Sequence, residues 1–110
     1  MSILVEAYFK KDRIILELDT LEVHSEEKEK LLKVVDEIAQ LRLLDAALEK
    51  LEEKDKQLFL EQLQGGSAQM AAQILREGIE NVEEILLERA KVLEEEILVD
   101  IRSLKGTTND

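Results

Sequence analysis

The chain has 110 residues, no cysteine, no proline and a formal net charge of −11 from 26 acidic and 15 basic residues. This length suits one domain, and the absence of cysteine excludes disulfides, thiolate nucleophiles and cysteine zinc sites. Residues 77–100 hold nine acids and two bases, a net of −7, so nucleic acids and anionic membranes are poor candidates for partners.

Helix-forming residues dominate the composition. Leu, Glu, Lys, Ala and Ile fill most positions, and aromatic residues make up 3% of the chain. Since strong helix breakers are rare, we predict an all-α protein. The opening "MSILVEAYF" is too short and too soon charged for a signal peptide, and no apolar run approaches ~20 residues. We therefore expect a cytoplasmic protein that does not bind a membrane.

The first 24 residues allow two structures. The segments "ILVEAYF" and "IILEL" flank the charged "KKDR", and their β-branched and aromatic residues fit a hairpin. A helical face also fits, interrupted at Lys11; it comprises Leu4, Tyr8, Ile15 and Leu18. We favour a helix over about 11–18 and leave 3–10 open between the two structures.

Four main helices are predicted after that segment, over about 25–51, 55–64, 67–79 and 82–104. We expect them to form one compact bundle, with residues 1–24 packed on it and residues 105–110 as a flexible tail.

The helix at 25–51 is predicted to lie at the centre of the bundle. Ser25 suits its N-cap, because the hydroxyl can accept a hydrogen bond from an exposed amide. The apolar face comprises Leu31, Val34, Val35, Ile38, Leu41 and Leu48, and a flank comprises Leu32, Ala39, Leu43 and Ala46. Neighbours are expected on more than one side of so wide an apolar surface.

Two charged residues lie inside that predicted face. Arg42 and Asp45 are three positions apart, so their side chains can meet, and arginine suits a buried pair better than lysine. We predict a half-buried ion pair that fixes the position of the helix. The alternative is a charged anchor that enters a groove of a partner.

Two connections follow this helix. We place a turn near 52–54, within "EEKDK", although a continuous helix through these residues stays open. Gly65, Gly66 and Ser67 are predicted to join two helices, with a glycine in the left-handed conformation and Ser67 as an N-cap. A phosphate-binding loop would need a preceding strand and a following lysine, which this segment lacks.

The last two helices have clear start signals. Helix 67–79 follows Ser67 and is expected to bury Met70 or Ala71 together with Ile74, Leu75 and Ile79. Asn81 and Glu84 have the spacing of a capping box, which predicts the start of the helix at 82–104.

The last helix has two apolar stripes. The main one, expected to face the core, comprises Val82, Leu86, Ala90, Leu93, Ile97, Ile101 and Leu104. Ile85, Val92 and Val99 form a second stripe at seven-residue spacing, set apart from the first by Arg89 and Glu96. Such a short seam, with charges beside it, is typical of helix pairing. We predict an interface with a partner or a second copy; the alternatives are cover by residues 3–21, or scattered surface apolar residues of no consequence.

Other polar groups offer no catalytic, cofactor or metal site. His24 is the only histidine, and a metal would need further ligands beside it. The acids at 83–84 and 94–96 are consecutive, so they point about 100° apart on a helix and are expected to be solvated. The serines lack a nearby base for nucleophilic catalysis. We therefore expect no enzyme, no cofactor and no small-molecule substrate.

Residues 25–101 resemble a family of short, acidic, uncharacterised bacterial helical proteins known as a domain of unknown function. The resemblance rests on "SEEKEKLL", "LRLLDAALEKL", "EEKDKQLFLEQL", a glycine turn, an alanine-rich helix and "IENVEEILLE". It implies a small helical bundle, with no known activity and no catalytic residue to transfer.

These features predict a small acidic interaction or structural module that associates with itself. The alternative is an acidic protein, like an antitoxin or an inhibitor, that neutralises a basic protein partner.

Overall fold

The protein is entirely helical where the structure describes it. The computed structural model describes the backbone of residues 3–107 and the side chains of residues 4–104. Within that range no strand occurs and six helices follow one another: α1 (Ile3–Tyr8), α2 (Asp12–Asp19), α3 (Ser25–Lys50), α4 (Glu53–Gly65), α5 (Ala68–Gly78) and α6 (Val82–Thr107). The predicted all-α class is confirmed. The predicted tail, 105–110, overlaps the end of α6, and 108–110 lie outside the described residues.

The N-terminal segment forms two short helices and no hairpin. Residues 9–11 separate α1 from α2, and Phe9 in this break is buried. On α2, Ile14 and Leu18 are buried at the four-residue spacing of a single helical face. Lys11, which the sequence marked as an interruption, directly precedes α2. The two helices together form one interrupted layer.

Ion pairs show the direction of α2 on the two long helices. They are Lys11–Asp36 (2.9 Å) and Asp19–Lys28 (3.7 Å) on the α3 side, and Arg13–Glu95 (2.8 Å) and Glu17–Arg102 (3.2 Å) on the α6 side. As residue numbers rise along α2, those of its partners fall on α3 and rise on α6. Thus α2 runs antiparallel to α3 and parallel to α6, and it covers one side of both.

The main apolar stripe of α6 faces the core as predicted. Six of its members are buried: Val82, Leu86, Ala90, Leu93, Ile97 and Ile101. Leu104 is 48% exposed, while Leu98, which the stripe does not include, is fully buried. Leu98 is one turn from Glu94, Glu95 and Arg102, which all pair with α2, so α2 covers this side of α6.

The buried face of α3 differs from the prediction. The buried residues are Val35, Ala39, Leu43, Ala46 and Ala47, most of which had been assigned to the flank. Val34, Ile38 and Leu41, assigned to the centre of the face, are exposed. Because three of the buried residues are alanines, neighbouring helices can approach α3 closely on this side.

The α4 and α5 helices form a hairpin that packs mainly on itself. It buries Phe59 on α4, and Ala71 and Leu75 on α5, whereas Met70 is exposed. The chain breaks at Leu51 and Glu52, so α3 and α4 are separate helices. The molecule measures 52 × 25 × 19 Å. Along α3 and α6 the covering layer is α1 with α2, which differs from a bundle made only of the four main helices.

The turn between α4 and α5 uses a side chain in place of a left-handed glycine. Gly66 has φ −104°, and no glycine in the described range has a positive φ, so that prediction is wrong. The Gln62 side-chain oxygen instead accepts a hydrogen bond from the Ser67 amide at 3.0 Å. The Ser67 hydroxyl accepts one from the Met70 amide at 3.3 Å, as an N-cap does.

Two other helix starts also differ from their predicted caps. Ser25 is the first residue of α3, and His24 occupies the cap position without a side-chain hydrogen bond. Asn81 has φ 58°, in the left-handed region, and not the extended conformation of a capping box. Asparagine tolerates this conformation better than most residues, which explains its place at the tight connection between α5 and α6.

Candidate interaction surface

Exposed apolar side chains collect on two neighbouring helices. We call this surface the open face; it comprises Val34, Ile38 and Leu41 on α3 with Val92 and Val99 on α6. Their exposed fractions lie between 39% and 61%. On each helix the residues are three, four or seven positions apart, which places them on one side. The open face is therefore shared by two helices.

A groove between α3 and α6 borders the open face at Val92. It has a volume of about 340 Å³ and is lined by Arg42, Asp45, Glu49, Arg89, Val92, Leu93 and Glu96. Most of these residues are charged and exposed, and Val92 brings an apolar side chain to the same groove. Charged and apolar groups thus alternate over a short distance.

Two ion pairs cross this groove. Arg42 Nη1 lies 3.8 Å from Glu96 Oε2, and Arg89 Nη2 lies 3.9 Å from Glu49 Oε2. The pairs are seven residues apart on both helices and in opposite order, so α3 and α6 are antiparallel. Both distances exceed hydrogen-bond length, and the side chains are at least half exposed. The pairs therefore contribute little to stability, and the guanidinium groups keep donors for other acceptors.

The predicted Arg42–Asp45 pair is wrong. Arg42 pairs with Glu96 of α6, Asp45 is exposed, and neither residue is buried. The prediction failed because it assigned Ile38 and Leu41 to the core, whereas α3 is turned so that Ala39, Leu43 and Ala46 pack inward. Spacing along one helix also cannot reveal a partner that a second helix supplies. The alternative, a charged anchor in a groove of a partner, stays a prediction.

The second stripe of α6 divides between core and surface. Ile85 is half-buried and packs against the core, while Val92 and Val99 are half exposed. Arg89 and Glu96 form the ion pairs of the groove. The predicted alternative of cover by residues 3–21 does not hold for this stripe, because α2 lies on the Leu98 side of α6. The contribution of α3 to the open face was missed; the apolar residues at 34, 38 and 41 were its signal.

The α2–α6 contact perturbs one ionisable pair. Arg13 donates a hydrogen bond of 2.8 Å to Glu95. This bond, and then the positive charge of Arg13, lower the pKa of Glu95 below its ordinary value of 4.5. Glu94, the preceding residue, lies 3.8 Å from the same guanidinium. The glutamates at 94–96 thus pair with two different helices and do not converge on one ion.

A second concave region lies where α1, α5 and α6 meet. It has a volume of about 330 Å³, and Tyr8, Arg76, Glu83 and several leucines and alanines line it. Partial burial, followed by the charge of Glu83, raises the pKa of Tyr8 above 10.0, while Arg76 opposes this effect. Among the described residues, no group of three or more His, Asp or Glu side chains is placed to hold a metal ion. His24 is exposed.

Comparison with known proteins gave no match. No family model, no curated protein and no solved structure matches the chain. The resemblance of residues 25–101 to uncharacterised bacterial proteins therefore stays an expectation. In the part of the chain described, none of the helices combines the length and apolarity needed to cross a bilayer.

Proposed function

We propose that this protein is a non-enzymatic helical module that associates with itself through the open face. The observation that supports this is the alignment of exposed apolar residues on both α3 and α6. Scattered single apolar residues are normal on a protein surface, but rows of exposed apolar residues on two neighbouring helices favour an interface. The core of such a patch loses water when a partner covers it, which favours association.

Charge also favours this face over the rest of the surface. The molecule carries −11, so two copies repel each other wherever acid meets acid. In the groove, two arginines stand against Asp45, Glu49 and Glu96, a net of −1. The groove is thus a nearly neutral region on an acidic molecule, where a second copy can approach with little repulsion. A strongly basic partner would gain more at the acidic surfaces elsewhere.

The mass of the protein in solution at several concentrations tests the proposal. We expect sedimentation or light scattering to show a reversible increase above the monomer mass of 12.6 kDa. Val92→Glu should restore the monomer with unchanged far-UV helicity, because it places a charge on the apolar patch. Leu16→Glu is the matched control, since Leu16 is 67% exposed on α2, away from the open face.

Three results would contradict this function. A wild-type protein that stays monomeric at high concentration has no self-association to explain. Equal disruption by Leu16→Glu and Val92→Glu would mean that added charge acts without regard to position. Loss of helicity in Val92→Glu would place Val92 in the core. Binding of a basic polypeptide that disappears at high salt, with a monomeric wild type, would support the neutraliser alternative.

A further inference from the structure

The four charges that cross the groove form an alternating pattern. At one level Arg42 of α3 faces Glu96 of α6; seven residues away, Glu49 of α3 faces Arg89 of α6. Among these four groups, positive and negative charges alternate both along each helix and across the groove; Asp45, which also lines the groove, lies between the two levels on α3. A pattern of this kind can attract a copy of itself, because a rotation that exchanges the columns places each charge opposite its complement.

We propose that a second copy of the chain docks on the open face about a two-fold axis parallel to α3 and α6. This inference rests on the proposed self-association and assigns its geometry. The rotation places α3 of each copy against α6 of the other. Arg42 then lies opposite Glu96 of the second copy, and Glu49 opposite Arg89 of the second copy. The result is a core of four helices in which each α3 lies between two antiparallel α6 neighbours.

The apolar residues match in the same arrangement. Arg42 of α3 lies at the same height along the helix axes as Glu96 of α6. Because the helices are antiparallel, Val99, three residues after Glu96, lies at the height of residue 39, three residues before Arg42. The two-fold rotation keeps each level, so Val99 of the second copy lies against Ile38 and Leu41. These three side chains are 57%, 39% and 61% exposed in the single chain. They would cover one another on both sides of the charged groove, as apolar positions beside charges do in coiled coils.

A two-fold axis perpendicular to the helices fits less well. It also pairs unlike charges, because Arg42 would face Glu49 of the second copy. However, it brings Asp45 next to Asp45 of the second copy, and like charges there oppose association. It also places Val34 and Ile38 beyond Lys50, the last residue of α3, where the copy offers no α3 surface. The parallel axis pairs the four groove charges, covers Val99 with Ile38 and Leu41, and avoids the contact between the two Asp45 side chains.

The size of the face indicates a reversible dimer. Residues 34–49 span about 23 Å at 1.5 Å per residue, and two helices side by side are roughly 20 Å wide. The face is thus on the order of 450 Å² per copy, or about 900 Å² in total, which is below the roughly 1,000 Å² of stable specific interfaces and in the range of transient ones. The dimer should therefore dissociate on dilution, and its exposed charges should select the partner more than they add affinity.

A charge-exchange variant tests the geometry. It combines Arg42→Glu, Glu49→Arg, Arg89→Glu and Glu96→Arg, which restores every attraction within the chain and between identical copies. We expect it to dimerise with a dissociation constant within about threefold of the wild type. Mixed with the wild type, it should form heterodimers at least tenfold less often than random exchange predicts, because like charges then meet at four positions. Native mass spectrometry of two mass-tagged chains measures the exchange.

The outcomes separate this geometry from the proposed function. Random mixing of the variant with a dimeric wild type overturns the alternating-charge register while self-association stands. A monomeric wild type removes the proposed function itself. If the fourfold variant loses its helical circular dichroism, a twofold variant replaces it in the test. That variant combines Arg42→Glu with Glu96→Arg and exchanges the charges of one pair only. That variant should still dimerise with itself and should mix with the wild type at about half the random frequency or less; random mixing again overturns the proposal.

Discussion

Replacing two adjacent residues of α6 should separate core packing from surface association. Leu98 is fully buried beneath α2, while its neighbour Val99 is 57% exposed on the open face. Leu98→Ala removes most of a buried side chain and leaves a cavity, at a cost of about 3 kcal/mol within the usual range of 2–5 kcal/mol. An unfolding entropy of about 2.1 cal/mol/K per residue gives roughly 0.23 kcal/mol/K for this chain, so Tm should fall by about 13 °C.

Val99→Ala should have the opposite profile. In the monomer the change should lie within about 0.5 kcal/mol, since surface substitutions are small and alanine is the better helix former. The dimer should weaken, because Val99 loses its contact with the second copy. Thermal and urea unfolding, run at a concentration where the protein is monomeric, measure the first effect, and sedimentation at higher concentration measures the second.

Either of two results would refute the reasoning behind this pair. A change within about 0.5 kcal/mol for Leu98→Ala would mean that α2 does not cover α6 in solution, because a cavity in a closed core cannot be that small an effect. A loss of stability in monomeric Val99→Ala as large as that in Leu98→Ala would mean that Val99 is buried within the single chain. Either result would remove the distinction between the two sides of α6.

Three further predictions concern single positions. Gly65→Ala should stabilise the protein by roughly 0.5–1 kcal/mol in urea unfolding, because Gly65 is helical and a Cβ there meets nothing within 4 Å. Gly66→Ala should destabilise the protein, because its Cβ would displace the Gln62 side chain that caps the turn. Asn81→Ala should lower the free energy of unfolding by about 1 kcal/mol, whereas Asn81→Gly should not, because φ at this position is 58°. Equal free energies of unfolding for the two variants would exclude the left-handed conformation. The folded-state pKa of Glu95 lies below its ordinary value of 4.5, so its contribution to stability is complete above pH 4.5 and is lost as the pH falls through the folded value. Arg13→Ala should raise that pKa in an NMR titration, and an unchanged value would show that the pair does not form.

The sequence predicts α6 well and α3 poorly, for a physical reason. On α6 one apolar stripe repeats at helical spacing, with charged residues on most of the opposite side, so its buried face is unambiguous. On α3 apolar residues occur on several sides, and large ones such as Ile38 and Leu41 suggest a core face more strongly than alanines do. Ala39 and Ala46 are nevertheless buried, because small residues allow the close approach of neighbouring helices.

The candidate surface could be predicted only in part. The seven-residue spacing of Val92 and Val99 predicted a second stripe on α6 but left its cover by residues 3–21 open; the structure shows that both residues are exposed. The α3 half and the ion pair between Arg42 and Glu96 depend on how two helices are placed against each other. That placement results from packing over the whole molecule, and no local pattern along one helix contains it.

The seam between α2 and α6 joins the two ends of the described chain, which has a consequence for folding kinetics. Its two hydrogen bonds join residues that are separated by 82 and by 85 positions in the sequence. Closing a loop of that length costs about 4 kcal/mol in chain entropy. The α4–α5 hairpin, by contrast, closes over a short turn. Hairpin contacts should therefore form before the rate-limiting step and the α2–α6 seam after it. A conservative change such as Ile14→Val would then accelerate unfolding and leave the folding rate nearly unchanged, so the lifetime of the native molecule depends on α2.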